Sequence, residues 1–282
     1  MIRAVFHPTD FTVGSELAFA HALAIALGAR SDLTIYHATA RELELTDWRE
    51  FPAVRGTLER WGLLEGGSER DAVFERLGVA VKKVAGRAES PLLGILDYLE
   101  KHPVDLVVLA THGHDGLGGW LRTRVAEPLV RAAATPALFV RHGVRGFVEL
   151  ANGAVGLRRV LIPVDREPRP QAAVDAALEL AQAVGGTPER IELIHVGPPG
   201  DMPTVDVSAA PATKWERISR RGDVVDAIAA AAGELEADLI AMSTAGHDGF
   251  LDALRGSTTE RVLRRAPCPV LAVPVTDLRS AG

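Results

Sequence analysis

The residues best able to do chemistry in this chain follow short apolar runs. The sharpest group runs from Ser243 to Glu260. Gly246 ends an apolar run and permits a tight turn, and nine residues separate it from Gly256 and Ser257. Ser257, Thr258, Thr259 and Glu260 match a capping box, in which the serine oxygen accepts from the third helical amide and the glutamate reaches back. Free amides and the positive end of a helix dipole at that point suit a phosphate. Gly256 removes side-chain bulk where backbone must approach an anion, and the hydroxyls of Ser257 and Thr258 add donors. An ordinary capped helix with no ligand is the competing reading.

A second segment, Ala110 to Glu127, follows the same plan with changes. Gly113 is kept, but Thr123 replaces the second glycine and Arg124 the capping serine. Arginine has no acceptor and cannot cap, and Pro128 moves the helix start about one turn later. The anion site therefore reads as lost in this segment and kept in the other. Direct phosphate binding by Arg124 is the rival reading. Elsewhere, Asp10 and Asp165 each follow a strand-like run and serve as turn, metal or acid-base candidates. His7, His37, His112 and His114 could gather around zinc, though satisfied core or loop histidines explain them more simply. Cys268, between two prolines with no histidine beside it, reads as a buried structural thiol. No Gly-x-Ser-x-Gly elbow and no Walker lysine motif occurs.

These groups recur because the chain is duplicated. Ile2–Asp10 matches Leu157–Asp165, Leu33–His37 matches Ile191–His195, and Asp105–Leu109 matches Asp238–Met242. His114-Asp115-Gly116 returns as His247-Asp248-Gly249. Domains of residues 1–143 and 157–282 follow, joined by a stretch with Gly143, Gly146, Gly153 and Gly156. Apolar runs predict strands at Ala4–His7, Leu33–His37, Val104–Ala110 and Ala137–Val140, then at Val160–Val164, Ile191–Val196, Leu239–Met242 and Val270–Val273. Weaker strands are predicted at Ala80–Val84 and Trp215–Ser219. Alanine-rich helices are predicted at Glu16–Leu27, Leu92–Lys101, Gln171–Val184 and Val224–Glu236. This alternation implies βαβ units and an open parallel sheet in each copy, with ligands beyond the C-terminal strand ends where strand order reverses. The first copy alone carries Arg41 to Gly78, with Trp48, Phe51, Trp61 and Phe74; it reads as a packed amphipathic flap or a partner surface. Gly197 to Thr213 is its shorter counterpart, a loop near the proposed second-copy site that could order over a ligand.

Composition narrows the function. The 282 residues suit about two domains. With 31 Lys and Arg against 37 Asp and Glu, the net charge is −6, so nucleic acid and anionic membrane are not expected partners. One cysteine excludes an intrachain disulfide. The apolar run Ala22–Ala29 is too short to span a bilayer and lacks signal-peptide flanks. A cytoplasmic protein is expected.

The pattern Pro-x-Asp after the first strand, His-Val after the second, then Gly-x-x-Gly and Gly-Ser resembles the universal stress protein family, as does the tail Arg264–Val273. The resemblance implies two tandem Rossmann-like α/β domains, each a five-stranded parallel sheet of order 3-2-1-4-5. It further implies that their last strands pair antiparallel as an intrachain pseudo-dimer, with a homodimer of whole chains as an option. It implies an adenine nucleotide, ATP with or without Mg2+, held by Pro163, Asp165, Val196, Met242, Ser243, Gly246, Gly256, Ser257 and Thr258. Ser243 departs from the family's first loop glycine. The expected role is a stress-response regulator or switch with at most slow ATP hydrolysis and an unidentified protein partner. A scaffold that binds no nucleotide is the alternative, with a zinc- or other small-ligand-binding protein third.

Overall fold

The computed structural model describes residues 1–39, 47–69, 71–111, 135–246 and 258–276. Its strands are β1 (Ala4–Pro8), β2 (Asp32–Thr39), β3 (Val81–Arg87), β4 (Leu106–Thr111) and β5 (Ala137–Arg141), then β6 (Arg159–Pro163), β7 (Arg190–Val196), β8 (Lys214–Arg220), β9 (Leu239–Gly246) and β10 (Val270–Thr276). The described helices are α1 (Val13–Ala29), α2 (Val54–Arg60), α3 (Ala72–Leu77), α4 (Pro91–Lys101), α5 (Gln171–Ala183), α6 (Val224–Glu234) and α7 (Thr258–Arg265). The ten strands form one sheet in the order β3-β2-β1-β4-β5-β10-β9-β6-β7-β8. Each half has the 3-2-1-4-5 order, and every neighbouring pair is parallel except the central one. There β5 and β10 run antiparallel, with Phe139, Leu138 and Ala137 opposite Val270, Leu271 and Ala272.

Burial on both faces explains the continuous apolar strands. One core lies under α1 and α5 and extends to Phe51, Leu58 and Trp61 of the insertion; the other lies under α4, α6 and α7. Helix α1 is apolar almost all round because sheet, insertion and α5 surround it; Leu23 and Ile25 are fully buried, each stabilising by about 2–3 kcal/mol. The two weak strands, β3 and β8, sit at the two ends of the sheet. Their Lys82, Lys83, Arg87, Lys214, Glu216 and Arg220 keep these edges polar.

The duplication extends to hydrogen bonds. Asp105 Oδ2 accepts from the amides of Arg3 (2.7 Å) and Ala4 (3.0 Å), and Asp238 Oδ2 from those of Arg158 (2.9 Å) and Arg159 (2.8 Å). Each aspartate opens its fourth strand and clips the start of the first. The stretch between the halves is docked rather than loose. Phe147 and Val148 are buried, Val148 bridges Val155, and the Trp61 indole donates to the Leu150 carbonyl at 3.1 Å. Gly153 has φ +72° and lies so close to Trp61 that a Cβ would fall 2.4 Å from the indole; only glycine fits there. His21 fastens the same stretch to α1: Nδ1 donates to the Leu17 carbonyl (2.7 Å), and Nε2 accepts from the Phe147 amide (3.1 Å). Arg145 binds Asp238, which ties the stretch to the second half.

Candidate functional site

Strand order reverses at β6, which has β7 on one side and β9 on the other. Chains leaving β6 and β9 diverge there and open a crevice at the carboxyl ends of the strands. It encloses about 300 Å3 on the α6–α7 face. Pro163, Val164 and Asp165 come from the end of β6, and Ile194 and Val196 from β7. Val224 and Ile228, one turn apart on α6, form the opposing wall. Met242, Ser243 and Thr244 of β9 form the floor, and Thr258 and Thr259 bring the start of α7 to the rim.

The nine predicted residues divide as follows. Pro163, Asp165, Val196, Met242, Ser243 and Thr258 converge on the crevice. Gly246 is the last residue of β9. Gly256 and Ser257 lie outside the described residues, as do Gly113, Thr123 and Arg124 of the first copy. Sequence reasoning missed Ile194, Val224 and Ile228. The signal was present: Ile194 and Val196 share one face of β7, and Val224 and Ile228 share one face of a helix that follows an edge strand.

The β7 and α6 walls are apolar, and the polar groups come from the end of β6, from β9 and from the start of α7. Asp165 is exposed, and its Oδ1 accepts from the Arg166 amide at 2.7 Å. The Ser243 side chain is buried, and its hydroxyl makes no hydrogen bond among the described residues, an arrangement that costs free energy unless something fills it. His195 is a positioning group: Nδ1 donates to the Val164 carbonyl at 3.1 Å, which fixes the turn carrying Asp165. His37 does the same for Thr9 at 2.9 Å. These histidines therefore hold strand ends. His7 is wholly buried with Nδ1 on the Val108 carbonyl at 2.9 Å, and burial pushes its pKa down to about 4. Among the described residues no three His, Cys, Asp or Glu side chains converge as metal ligands; His112 and His114 lie outside them. Cys268 is buried, and burial raises its thiol to about 12, so it stays protonated at neutral pH.

Helix α7 is held at its middle and at its carboxyl end. Arg261 donates to Asp223 at 2.8 Å and Arg265 pairs with Asp226. Asp223 also caps α6 through the amides of Val225 (2.9 Å) and Asp226 (3.1 Å), and Arg261 holds its carboxyl below the usual range. At the same carboxyl end, beside Arg265, Arg141 of the first half donates to the carbonyls of Arg264 and Ala266, both at 3.0 Å. The loop Gly197–Thr213 packs on the α5 side instead. Its Asp206 amide bonds Gln171 at 2.8 Å and Val205 is buried; none of its residues lines the crevice.

The first copy uses its aspartate differently. Asp10 Oδ1 accepts from the Thr12 amide (3.1 Å), the Thr12 hydroxyl (2.6 Å) and the Ser15 hydroxyl (2.5 Å), so it organises the start of α1. Phe11 stacks on His37 with centroids 4.0 Å apart and meets Phe51 edge-on at 5.0 Å.

Among the described residues no helix is long and apolar enough to cross a membrane. A curated universal stress protein of Synechocystis sp. is 25% identical over 147 residues, covering 46% of this chain and 94% of its own. A universal stress protein of Archaeoglobus fulgidus has the same fold, with a TM-score of 0.62 at 20% identity and 97% of each chain covered. A protein of unknown function from Pseudomonas aeruginosa gives 0.61 at 18% identity, over 97% of this chain and 92% of its own. The model of the universal stress protein family matches residues 1–141 and 204–274. With that match spread over both halves, the chain belongs to the universal stress protein family.

Proposed function

We propose that the second half binds an adenine nucleotide in the crevice and that the protein is a cytoplasmic, nucleotide-responsive regulator. The observation that carries this reading is the crevice itself, which gathers six predicted site residues at the point where strand order reverses. Ile194, Val196, Val224, Ile228 and Met242 offer the apolar slot that a purine ring needs. The Ser243 hydroxyl supplies an unfilled polar contact, and the start of α7 faces the side where phosphates would lie. Hydrolysis is at most slow in this reading. The ionisable groups among the lining residues are Asp165 and Glu167, both exposed carboxylates, and neither is poised as a general base.

Thermal denaturation with and without millimolar ATP-Mg2+ tests the proposal. Ligand at 100 times its dissociation constant adds about 2.7 kcal/mol, and Ser257→Arg should abolish that gain. No shift, together with no nucleotide released from a freshly denatured preparation, overturns the reading in favour of a scaffold.

A further inference from the structure

The first half carries a larger concavity on the other face of the sheet. Its volume is about 1060 Å3, just above the ~300–1,000 Å3 range typical of metabolite pockets. One wall is the 48–56 segment, where Trp48 stacks on Phe51 at 5.2 Å; the other is formed by Phe74 and the approach to β3. Val81, Lys82 and Lys83, the first three residues of β3, line it together with Val79 and Ala80 just before the strand. Successive side chains of a strand point to opposite faces, so consecutive lining means that the groove follows the outer flank of the strand. β3 ends the sheet and pairs with β2 alone among the described residues. The outward backbone at the start of the strand therefore borders the groove.

The side chains there are unlike the rest of this acidic protein. Trp48 is 52% and Phe74 63% exposed. Four cations, Arg49, Arg55, Lys82 and Lys83, line the groove against one carboxylate, Asp71. Asp47 pairs with Arg49 at 2.9 Å, whereas Arg55 donates to the uncharged Ser68 carbonyl at 2.8 Å and Lys82 is exposed. The chain as a whole carries −6, whereas the residues lining the groove include more cations than carboxylates.

We propose that this groove binds an extended, acidic segment of a partner protein. The segment adds to β3 as a further strand, rests apolar side chains on Trp48 and Phe74, and sets carboxylates beside Arg55 and Lys82. Aromatic and basic side chains also suit single-stranded nucleic acid. The outer side of β3, an end strand that pairs with β2 alone among the described residues, decides for protein, because only another polypeptide completes a β-ladder.

The test uses fluorescence anisotropy with the full chain and a labelled, capped peptide of about eight residues, slightly longer than a typical strand. It alternates glutamate with valine and carries a central phenylalanine. The glutamate peptide should bind at micromolar concentration, and its lysine counterpart at least about tenfold more weakly, as like charges oppose it. Lys82→Glu and Phe74→Ala, both at exposed positions, should each weaken binding about tenfold while thermal denaturation stays unchanged. The proposal fails if the glutamate peptide does not bind the wild type, if neither variant weakens it, or if oligothymidylate binds more tightly than the peptide.

Discussion

Acidification should destabilise this protein through two imidazoles that are folded in their neutral state. His7 and His21 are fully buried, and burial lowers both from 6.5 to about 4. At His21 the geometry shows why a proton is unwelcome. Nε2 already accepts the Phe147 amide at 3.1 Å, and a proton there would face an N–H with no acceptor. The folded pKa lies below the unfolded one, so between pH 6.5 and 4 the unfolded chain binds more protons and stability falls as pH falls. Above pH 6.5 these two groups contribute no slope. By pH 5 each histidine withdraws about 2 kcal/mol relative to pH 8, or about 4 kcal/mol together, a large share of typical domain stability. Urea unfolding at pH 8 and pH 5 measures this directly. His21→Gln, which can still donate and accept without titrating, should lower stability at pH 8 but halve the loss on going to pH 5. A wild-type protein equally stable at both pH values, or a variant with an undiminished loss, would refute the reasoning.

Three substitutions probe other contacts. Gly28→Ala places a Cβ 2.0 Å from the Ala183 carbonyl oxygen, so overpacking of about 1–3 kcal/mol should outweigh the gain in helix propensity and lower the melting temperature; an unchanged or raised one contradicts the close approach of α1 and α5. Asp238→Ala leaves the Arg158 and Arg159 amides without an acceptor and should cost about 2–4 kcal/mol, read from urea midpoints, with Asp238→Asn milder. Arg141→Ala removes two hydrogen bonds from the carboxyl end of α7 and should speed amide exchange in β10 and the last turn of α7 while leaving β1–β3 unchanged.

The fold was legible because its strands are buried on both faces, which writes them as apolar runs that periodicity cannot disguise. Even β3 and β8, with Lys82, Lys83 and Arg217 among their residues, could be placed by duplication. The docked stretch was harder. Its four glycines suggest a flexible joint, and only the apolar pair Phe147-Val148 hints at burial. For the crevice, the legible residues were those ending strands, since the switch-point rule locates them. The α6 wall was not read, because Val224 and Ile228 resemble any helix's core face until the neighbouring strand order is known. The histidines were ambiguous in sequence; backbone carbonyls of adjacent strands give His7, His37 and His195 their partners, and such partners leave no residue-type signature.

The antiparallel seam between β5 and β10 has a consequence beyond architecture. Two separate subunits joined this way would exchange and come apart on dilution, and any substitution would appear on both sides at once. Covalent continuity removes both constraints. The strands meet at a fixed local concentration however dilute the solution, and either side can change without imposing the change on its counterpart. The halves indeed differ: the first carries α2, α3 and the groove beside β3, the second the crevice beside β6. A covalently joined pairing is free to be asymmetric in a way that two identical subunits are not.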